Sequence, residues 1–423
     1  MIVWSIIHII DIVLWLIMAI SVFYVLFFSL ASLLRKNHNS QPSNLNPQIS
    51  NLNPQISNLN TFLVLIPAYH EDSVIRASVE AFLRQDYPSS LYQLVVISDH
   101  MTDETNAWLA SQPITLLTPS FDKSSKAKAL QYAIHEAHFP HLSPQSSSPG
   151  ASVVILDADN IVAPDFLSRL NVECQSGYRA IQCHRTAKNA DNDVAALDGL
   201  SEEINNSIFR LGHNRVGLSS ALIGSGMCFD YDWFRDNADR LDSAVEDREL
   251  EALLLREGIY IHYAEDILVM DEKVSSSDNF QRQRLRWMTG QVQALFRMAP
   301  YLPKAFAAGN VNYIDKTLQQ ALIPRSILLI LVPLFTLLAT LLTPHSSPLA
   351  PHSPLLRWLL LFVALVIGVF VAIPPQLRKR AVFAKAVALP AMALRMVSNL
   401  ARIERKNTEF LHTEHGKTET GNR

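Results

Sequence analysis

Cysteine is scarce in this sequence: its 423 residues include only Cys174, Cys183 and Cys228. A structural zinc site needs closely spaced ligands, and a disulfide framework needs several cysteine pairs. The number and spacing of these three residues exclude both. We therefore predict that the cysteines are small residues of the hydrophobic core.

An excess of positive charge is also missing. The chain has 36 Lys and Arg against 39 Asp and Glu, which gives a formal net charge of -3. Proteins that bind nucleic acids usually present a basic face to the phosphates. The charge balance therefore predicts no nucleic-acid partner.

The N-terminus lacks the basic start of a secretory signal peptide, because Met1 to Ile10 contain no Lys or Arg. The residues from Ile12 to Leu34 instead form an almost uninterrupted apolar stretch. As a helix, this stretch is long enough to cross a hydrocarbon core of roughly 30 Å. We predict an uncleaved transmembrane anchor.

Two further apolar runs, Ser326 to Leu342 and Leu355 to Ile373, predict a transmembrane hairpin near the C-terminus. Their connector, Pro344 to Pro354, contains no Asp, Glu, Lys or Arg. The basic residues on the other flanks are Arg35, Lys36, Arg325, Arg378, Lys379 and Arg380, and only Arg357 disagrees. By the positive-inside rule, the sequence predicts a multi-pass protein of the cell (inner) membrane whose large central segment faces the cytosol.

Apolar strand patterns alternate with helical patterns from Thr61 onward. The predicted strands are 62–66, 94–98, 114–117 and 153–156, and the predicted helices are 73–84, 103–110 and 126–137. This alternation predicts an α/β fold with a mostly parallel sheet flanked by helices. Ligands of such sheets bind at the carboxyl ends of the strands.

Two carboxylates follow the last of these strands, in the segment VVILDADN. Strand alternation places Asp157 and Asp159 on the same side, where two oxygen ligands suit Mg²⁺ or Mn²⁺. Such a cation can bridge a diphosphate and offset the charge on a leaving group. Asp-x-Asp pairs also cap helices and form turns, so the pair alone leaves both interpretations open.

Two other strand ends and one helix start carry polar motifs: IPAYHE at 66–71, SDHMTD at 98–103 and SKAKAL around Lys126. With the Asp-x-Asp segment, their order resembles the membrane-bound members of glycosyltransferase family 2, which have the GT-A fold. The resemblance implies that the nucleotide-sugar donor is bound by Pro67, Tyr69, Glu71, Asp99, Lys126 and Asp157. Asp99 would hydrogen-bond the nucleobase. His70 stands where Asn is usual, and Met101 where a small hydroxyl residue is usual.

Two downstream motifs extend the resemblance. The segment Gly224, Ser225 and Gly226 resembles the family's acceptor-side loop, although an ordinary tight turn would have the same composition. Val245-Glu246-Asp247 resembles its Thr-Glu-Asp motif, which implies Asp247 as the general base with Glu246 beside it. The alternative is that both acids only favour the positive end of the following helix.

Gln283, Arg286 and Trp287 match Gln-x-x-Arg-Trp, the motif shared by membrane polysaccharide synthases and related glycolipid glucosyltransferases. On a helix, Gln283 and Trp287 share a face. The guanidinium suits the departing diphosphate, and the indole suits stacking against a sugar ring, which implies a catalytic Arg286 and an acceptor site at Gln283 and Trp287. An amphipathic interfacial helix would place arginines and Trp similarly.

The resemblance implies an inverting, metal-dependent transfer from a nucleotide sugar, with UDP as the expected nucleotide, to a polysaccharide or glycolipid at the cytosolic membrane face. One alternative is a noncatalytic nucleotide-sugar-binding regulator, which the four intact residues Asp157, Asp159, Asp247 and Arg286 disfavour. A nucleotidyltransferase is the other, and it has no evident need for Gln-x-x-Arg-Trp. Three spanning helices offer little material for a polymer channel, although a membrane partner subunit could complete one.

The predicted organisation has six parts. They are a transmembrane anchor (1–36), a disordered linker containing the SNLNPQI repeat (37–60), a cytosolic GT-A domain (61–300), an interfacial connector (301–325), the transmembrane hairpin (326–376), and an interfacial helix with a cytosolic tail (377–423). The apolar segment 381–403 carries three basic residues and a proline, which favours the membrane interface. A fourth, broken transmembrane pass is the alternative.

Overall fold

The computed structural model describes residues 2–35, 59–137, 139, 150–189, 193–243, 245–273, 277–342 and 353–378. The strands are β1 (Thr61–Tyr69), β2 (Tyr92–Asp99), β3 (Thr115–Leu117), β4 (Ala151–Ile155), β5 (Ile161–Val162), β6 (Ala180–Ala187), β7 (Met227–Asp230) and β8 (Ile261–Asp271). The soluble-domain helices are α2 (Ile75–Phe82), α3 (Asp103–Ala110), α4 (Lys126–Glu136), α5 (Phe166–Gln175), α6 (Asp193–Asn205), α7 (His213–Arg215), α8 (Tyr231–Ala238), α9 (Glu246–Arg256), α10 (Ser277–Met298), α11 (Leu302–Ala307) and α12 (Val311–Ala321). A π-helical segment, Asn206–Gly212, joins α6 to α7.

The strands form one sheet in the order β3-β2-β1-β4-β7-β6-β8-β5. The first four are parallel neighbours, as predicted, whereas β7 runs antiparallel to both β4 and β6. The β6–β8 pairing is parallel, and the short β5 is antiparallel to β8. The predicted fold class, a mostly parallel α/β sheet flanked by helices, is confirmed, with an antiparallel strand inserted beside the parallel half.

The sheet is covered on both faces, which explains why its central strands read as continuous apolar runs. On one face, side chains of α4, α8 and α9 pack against alternate residues of β1 and β4, such as Leu63 and Val153. On the other, α2, α3 and α5 pack against the intervening residues, such as Val64 and Val154. All three cysteines lie in or against this second cluster, as predicted for small core residues.

Three further helices are long and apolar enough to cross a membrane: α1 (Ile2–Ala31), α13 (Arg325–Leu342) and α14 (Pro354–Ala372). They match the three predicted spans. Arg357, the basic residue at odds with the positive-inside rule, forms an ion pair with Asp11 at 2.7 Å. Since that pairing satisfies its charge within the helix bundle, Arg357 says little about orientation.

The C-terminal half of the predicted anchor packs directly on the soluble domain. The Tyr24 hydroxyl lies 2.8 Å from Nε2 of buried His213 and donates to Asp315 Oδ1 at 2.9 Å. The ring of Phe28 stacks on His213 with a centroid separation of 3.6 Å. These contacts hold the soluble domain against α1.

Several predictions concern residues outside the described ranges. These are most of the linker 37–60, most of the hairpin connector, and the segment 381–423. Within the described part, α12 of the predicted connector packs beside α10, α11 packs against α12, and Tyr313 is fully buried in the soluble core. The domain boundaries themselves stay predictions.

Candidate active site

A cavity of about 390 Å³ opens at the carboxyl ends of the parallel strands. Its walls come from the ends of β1 and β2, the start of α4, the turn after β4, the start of α9 and the first half of α10. The predicted site residues that line it are Pro67, Tyr69, Glu71, Asp99, Lys126, Asp157, Asp159, Gly224, Glu246, Asp247, Gln283, Arg286 and Trp287. Residues up to 220 positions apart in the chain are thus brought to one place.

Lys126 connects the two acidic motifs of the site. It begins α4, where the preceding Ser125 caps the helix by accepting from Lys128 N. Its ammonium group pairs with Asp157, donates to the carbonyl oxygen of Gly224 at 2.7 Å and lies 3.5 Å from Glu246 Oε1. Burial disfavours the lysine charge, but the surrounding carboxylates outweigh it and raise the pKa of Lys126.

The Asp-x-Asp segment combines a turn with two carboxylates in the cavity. Asn160 closes the turn by accepting from Asp157 N at 2.9 Å, and its amide donates to Asp159 Oδ1 at 3.0 Å. The backbone N–H of Glu272 donates to the other oxygen of Asp159 at 2.9 Å. The motif therefore forms a turn, and that turn brings both acids to the cavity, while the metal role stays a prediction.

These carboxylates fit a divalent cation that also binds a diphosphate, because Mg²⁺ commonly takes one or two carboxylates plus phosphate oxygens. Within the described residues no group of three acidic, His or Cys side chains is arranged to hold a metal ion. The local field is nevertheless strongly negative. Burial, together with Asp159 and Asp157, raises the pKa of Glu71 to about 9. A cation at this position would offset the repulsion between Glu71 and the two aspartates, which, together with burial, raises the pKa of Glu71.

The candidate base lies at the start of α9, where Val245 provides no side-chain cap. Asp247 Oδ1 accepts from Arg248 N at 2.8 Å. Gly224, with φ of +85°, faces this helix: a Cβ built on it would lie 3.9 Å from Asp247 Oδ2 and 3.8 Å from Glu246 Oε1. The missing side chain therefore leaves space in front of both carboxylates.

Glu246 is buried behind this space, and burial raises its pKa to about 7 even though Lys126 lowers it. Its neighbour Asp247 raises the value further, as expected for two adjacent carboxyl groups. Glu246 therefore changes charge near neutral pH, next to the lysine that contacts Asp157.

The Gln-x-x-Arg-Trp residues line the cavity from α10. Trp287 is stacked by Arg284, whose guanidinium carbon lies 4.7 Å from the ring centroid. Arg284 is anchored by Asp198 of α6 at 2.6 Å. Arg286 acts over a longer range: with Lys126 and Arg185 it lowers the pKa of Asp157, against the effect of burial. The motif thus supplies positive charge and an aromatic face to the same cavity.

Asp99 is almost fully buried at the end of β2, and its carboxylate pairs with His100 Nδ1 at 2.6 Å. His70 and His100 both have positive φ, 54° and 56°, which is uncommon for residues other than glycine. The strand ends therefore turn sharply at the predicted nucleotide-binding loops.

Ser225 and Gly226 do not line the cavity. Ser225 is fully buried, and its hydroxyl donates to Asn160. A Cβ at Gly226 would lie 3.0 Å from Val269 Cγ2, so close packing against β8 explains this glycine. Of the predicted acceptor-side loop, only Gly224 borders the cavity.

Sequence reasoning missed several charged residues of the cavity wall, among them Arg185, Glu202, Asp271 and Lys273. Arg185 Nε contacts Glu202 Oε1 at 2.6 Å, and Lys273 Nζ contacts Asp271 Oδ1 at 2.7 Å. Asp271 and Lys273 follow the apolar run ILVM at the end of β8. A charged residue directly after an apolar strand run is also the pattern that identified Asp157.

Comparison with known proteins identifies the family. The family model described as "Glycosyltransferase like family 2" matches residues 60–290, more than half of the chain. The chain belongs to this family. The resemblance inferred from the motifs is therefore confirmed, and this member of glycosyltransferase family 2 is a glycosyltransferase that uses a nucleotide-sugar donor.

One curated relative is an N-acetylglucosaminyltransferase of Rhizobium meliloti (strain 1021), 23% identical over 337 residues that cover 74% of this chain and 76% of the relative. A solved structure is the mannosyltransferase PcManGT from Pyrobaculum calidifontis in complex with GDP-Man and Mn2+, at 17% identity and a TM-score of 0.47, covering 83% of this chain and 96% of that chain. Another is S. aureus TarS 1-349 in complex with UDP-GlcNAc, at 12% identity and a TM-score of 0.35, covering 81% and 90%.

Proposed function

We propose that this family 2 member transfers a sugar, with inversion, from a UDP-sugar to a polysaccharide or glycolipid acceptor at the cytosolic face of the cell membrane. The observation that carries the proposal is the space beside Gly224, where a built Cβ would lie 3.9 Å from Asp247 Oδ2 and 3.9 Å from Nζ of Lys126, the lysine that pairs with Asp157. An acceptor hydroxyl and a donor diphosphate can thus approach one another between a base and a phosphate-binding group.

The donor half of this site is assigned to the strand ends. Pro67 and Tyr69 of β1, together with Glu71 just after that strand, line the donor half of the cavity. Asp99 accepts a hydrogen bond from the nucleobase. Asp157 and Asp159 would hold Mg²⁺ or Mn²⁺, which would bind the diphosphate and offset its charge. Lys126 and Arg286 add positive charge from the protein itself, close to Asp157.

The acceptor half lies along α9 and α10. Trp287 offers a flat face to a sugar ring, Gln283 offers a hydrogen-bonding amide, and Gly224 leaves room for the ring to approach the backbone. Asp247 takes the proton of the acceptor hydroxyl as its oxygen attacks the anomeric carbon. The bond from that carbon to the diphosphate oxygen breaks with its electron pair, so a single displacement inverts the anomeric centre.

Membrane location follows from the three apolar helices, and the basic flanks of those helices favour a cytosolic soluble domain. The alternative function, a noncatalytic nucleotide-sugar-binding regulator, would need the donor half of the cavity only. The occurrence of Asp247, Trp287 and Gln283 in the same cavity as the donor motifs favours an enzyme.

A product assay tests this proposal. Purified protein in nanodiscs is incubated with a panel of UDP-sugars, starting with UDP-N-acetylglucosamine because of the curated relative's name. Mass spectrometry identifies the product, and NMR gives its anomeric configuration. We expect a glycosylated product of inverted configuration. Retention would contradict the single displacement, and donor binding without any product from membrane-extract acceptors would favour the regulator.

A further inference from the structure

The cavity extends beyond the acids of the active site toward the membrane helices. Its far end is lined by Val25 of α1, Ser201 of α6, Arg210 of the π-helical segment and Arg325 at the start of α13. Arg325 is the first residue of a membrane-spanning helix. This end of the cavity therefore lies at the level where the phosphates of membrane lipids are found.

Two arginines converge on one hydroxyl at this end. Arg284 Nη2 donates to Ser201 Oγ at 3.2 Å, and Arg325 Nη2 donates to the same oxygen at 2.8 Å. Arg325 also donates to the Ser201 carbonyl oxygen at 3.1 Å. Arg284 also pairs with Asp198 at 2.6 Å. Within the described residues no salt bridge joins Arg325 to a carboxylate, so the charge of Arg325 is not offset by an ion pair there.

A third arginine, Arg210, lines the same cavity. Arg210 is 5% exposed, and its Nη1 donates to Asn206 Oδ1 at 2.8 Å. No salt bridge joins it to a carboxylate in the described part of the chain, whereas the neighbouring Arg185 has both Glu202 and Asp271 within 4 Å. Burial lowers the pKa of Arg210 to about 10, so the guanidinium remains charged at neutral pH.

Arg210 and Arg325 each keep a hydrogen-bond donor for a ligand. Nε of Arg210 and Nη1 of Arg325 are buried and have no hydrogen-bond partner within the described residues. Buried donors of this kind are costly unless something accepts from them. An anion in the cavity would satisfy both the donors and the charge.

The surroundings of these arginines are apolar toward the membrane. Val25, Phe209 and Leu322 line the same end of the cavity. Val25 and Leu322 also belong to the cluster in which α1 meets α14 and the soluble domain. A ligand for this end should therefore combine an anionic group with an apolar chain.

We propose that the membrane-side basic pocket, defined by Arg210, Arg284 and Arg325, binds the phosphate of a membrane lipid that carries the acceptor. Guanidinium groups bind phosphate through paired hydrogen bonds, and the cavity continues from this pocket to Asp247. The inference rests on the proposed function, because it assigns the acceptor to a lipid that bears a phosphate. It favours a glycolipid over a free polysaccharide.

The test measures lipid binding without turnover. The full chain in detergent is mixed with farnesyl phosphate, a short lipid phosphate, and native mass spectrometry measures the bound fraction across a concentration series. Farnesol and inorganic phosphate are the two comparison ligands. The variants are Arg325→Gln, Arg210→Gln and the matched control Arg179→Gln, an exposed arginine outside the cavity.

We expect farnesyl phosphate to bind the wild type and Arg179→Gln equally, and to bind each pocket variant about tenfold more weakly, as for loss of a charged hydrogen bond. Farnesol and inorganic phosphate should bind at least tenfold more weakly than farnesyl phosphate. Equal binding of farnesol would overturn the anion site, and equal binding of inorganic phosphate would overturn the lipid assignment. Unchanged affinity in both pocket variants would overturn the assignment of these arginines.

UDP affinity, measured by calorimetry on the same samples, shows whether each variant is folded and distinguishes the two proposals. Wild-type UDP affinity in Arg325→Gln with weakened lipid binding supports the pocket. If UDP and UDP-sugars fail to bind the wild type while farnesyl phosphate binds, the proposed function fails and the lipid site stands alone. If UDP binds and farnesyl phosphate does not, only the lipid site is refuted.

Discussion

Lys126 contacts both the donor-side and the base-side residues of the proposed mechanism. It contacts Asp157 on the donor side, Glu246 on the base side and the carbonyl of Gly224 between them. With Asp247 also close to Lys126, three carboxylates surround one ammonium group and leave an excess of negative charge, which a divalent cation would reduce. The metal requirement is therefore the first prediction at this scale.

Turnover should require Mg²⁺ or Mn²⁺ and should fall at least about 100-fold in Asp157→Asn and Asp159→Asn, since charge stabilisation of a leaving group is commonly of this size. Initial rates with EDTA and after metal is restored check it. Asp165→Asn, on an exposed surface carboxylate, is the matched control and should keep the wild-type rate. Full activity in EDTA, or in either site variant, would refute the metal role.

The rate should also fall as pH drops below about 7, where Glu246 takes up a proton and its attraction for Lys126 is lost. Glu246→Gln should lack this change because its amide does not titrate.

Glu246 also affects stability. Because its pKa is raised in the folded state, the carboxyl group costs stability progressively as the pH rises from 4.5, its ordinary pKa, through about 7. Glu246→Gln should therefore have a higher Tm than the wild type at pH 8. An unchanged pH profile in the variant would contradict this assignment.

Which site residues could be predicted depended on whether a local pattern marked them. Asp157 and Asp159 follow an apolar strand directly, so the strand end indicated their place. Ser225 looked like an acceptor residue because of its glycine neighbours, yet its hydroxyl serves the turn at Asn160. Arg185 and Glu202 form their pair only after two distant segments meet, which no local pattern shows.

At the scale of elements, the parallel half of the sheet was predictable and the remainder was not. β1, β2 and β4 are buried on both faces, so each reads as an apolar run that ends in polar residues. β6 carries His184 and Arg185 within the strand, which hides its pattern. The antiparallel insertion of β7 is a long-range pairing, and propensity carries no information about it.

The contact between α1 and the π-helical segment gives the prediction at this scale. A Cβ at Gly212 would overlap the carbonyl oxygen of Phe28, and a rigid backbone atom cannot easily move away. Gly212→Ala should therefore separate α1 from His213 and lower Tm by several degrees, as overpacking costs about 1–3 kcal/mol. Ser207→Ala, on the same segment, is the control and should change Tm little. A wild-type Tm in Gly212→Ala would contradict this packing.

At the scale of the whole molecule, the active-site cavity is shared by the soluble domain and the membrane helices. Val25 of α1 and Arg325 of α13 line it together with the catalytic motifs. Hydropathy was enough to predict the three apolar helices, because length and composition determine whether a helix can cross a bilayer. Their packing against the soluble domain depends on individual contacts such as Tyr24 with Asp315, which hydropathy does not indicate.

Orientation is the prediction that belongs to this scale. A reporter fused after Arg423 should give a cytosolic signal, because the basic flanks of all three helices favour the inside. A reporter inserted in the connector between α13 and α14 should give a periplasmic-type signal in the same cells. A periplasmic-type signal after Arg423 would mean that the segment 381–403 crosses the membrane.

The central claim, that Asp247 is the base and Asp99 binds the nucleobase, is tested most directly by comparing two variants. Calorimetry gives the UDP-sugar affinity of Asp247→Asn and Asp99→Ala, and initial rates at saturating donor give their turnover. Asp247→Asn should turn over about 10²- to 10⁴-fold more slowly with donor affinity nearly unchanged, because a general base acts mainly in the transition state. Asp99→Ala should chiefly weaken donor binding. Normal turnover in Asp247→Asn, or equal losses of its rate and donor affinity, would contradict the account.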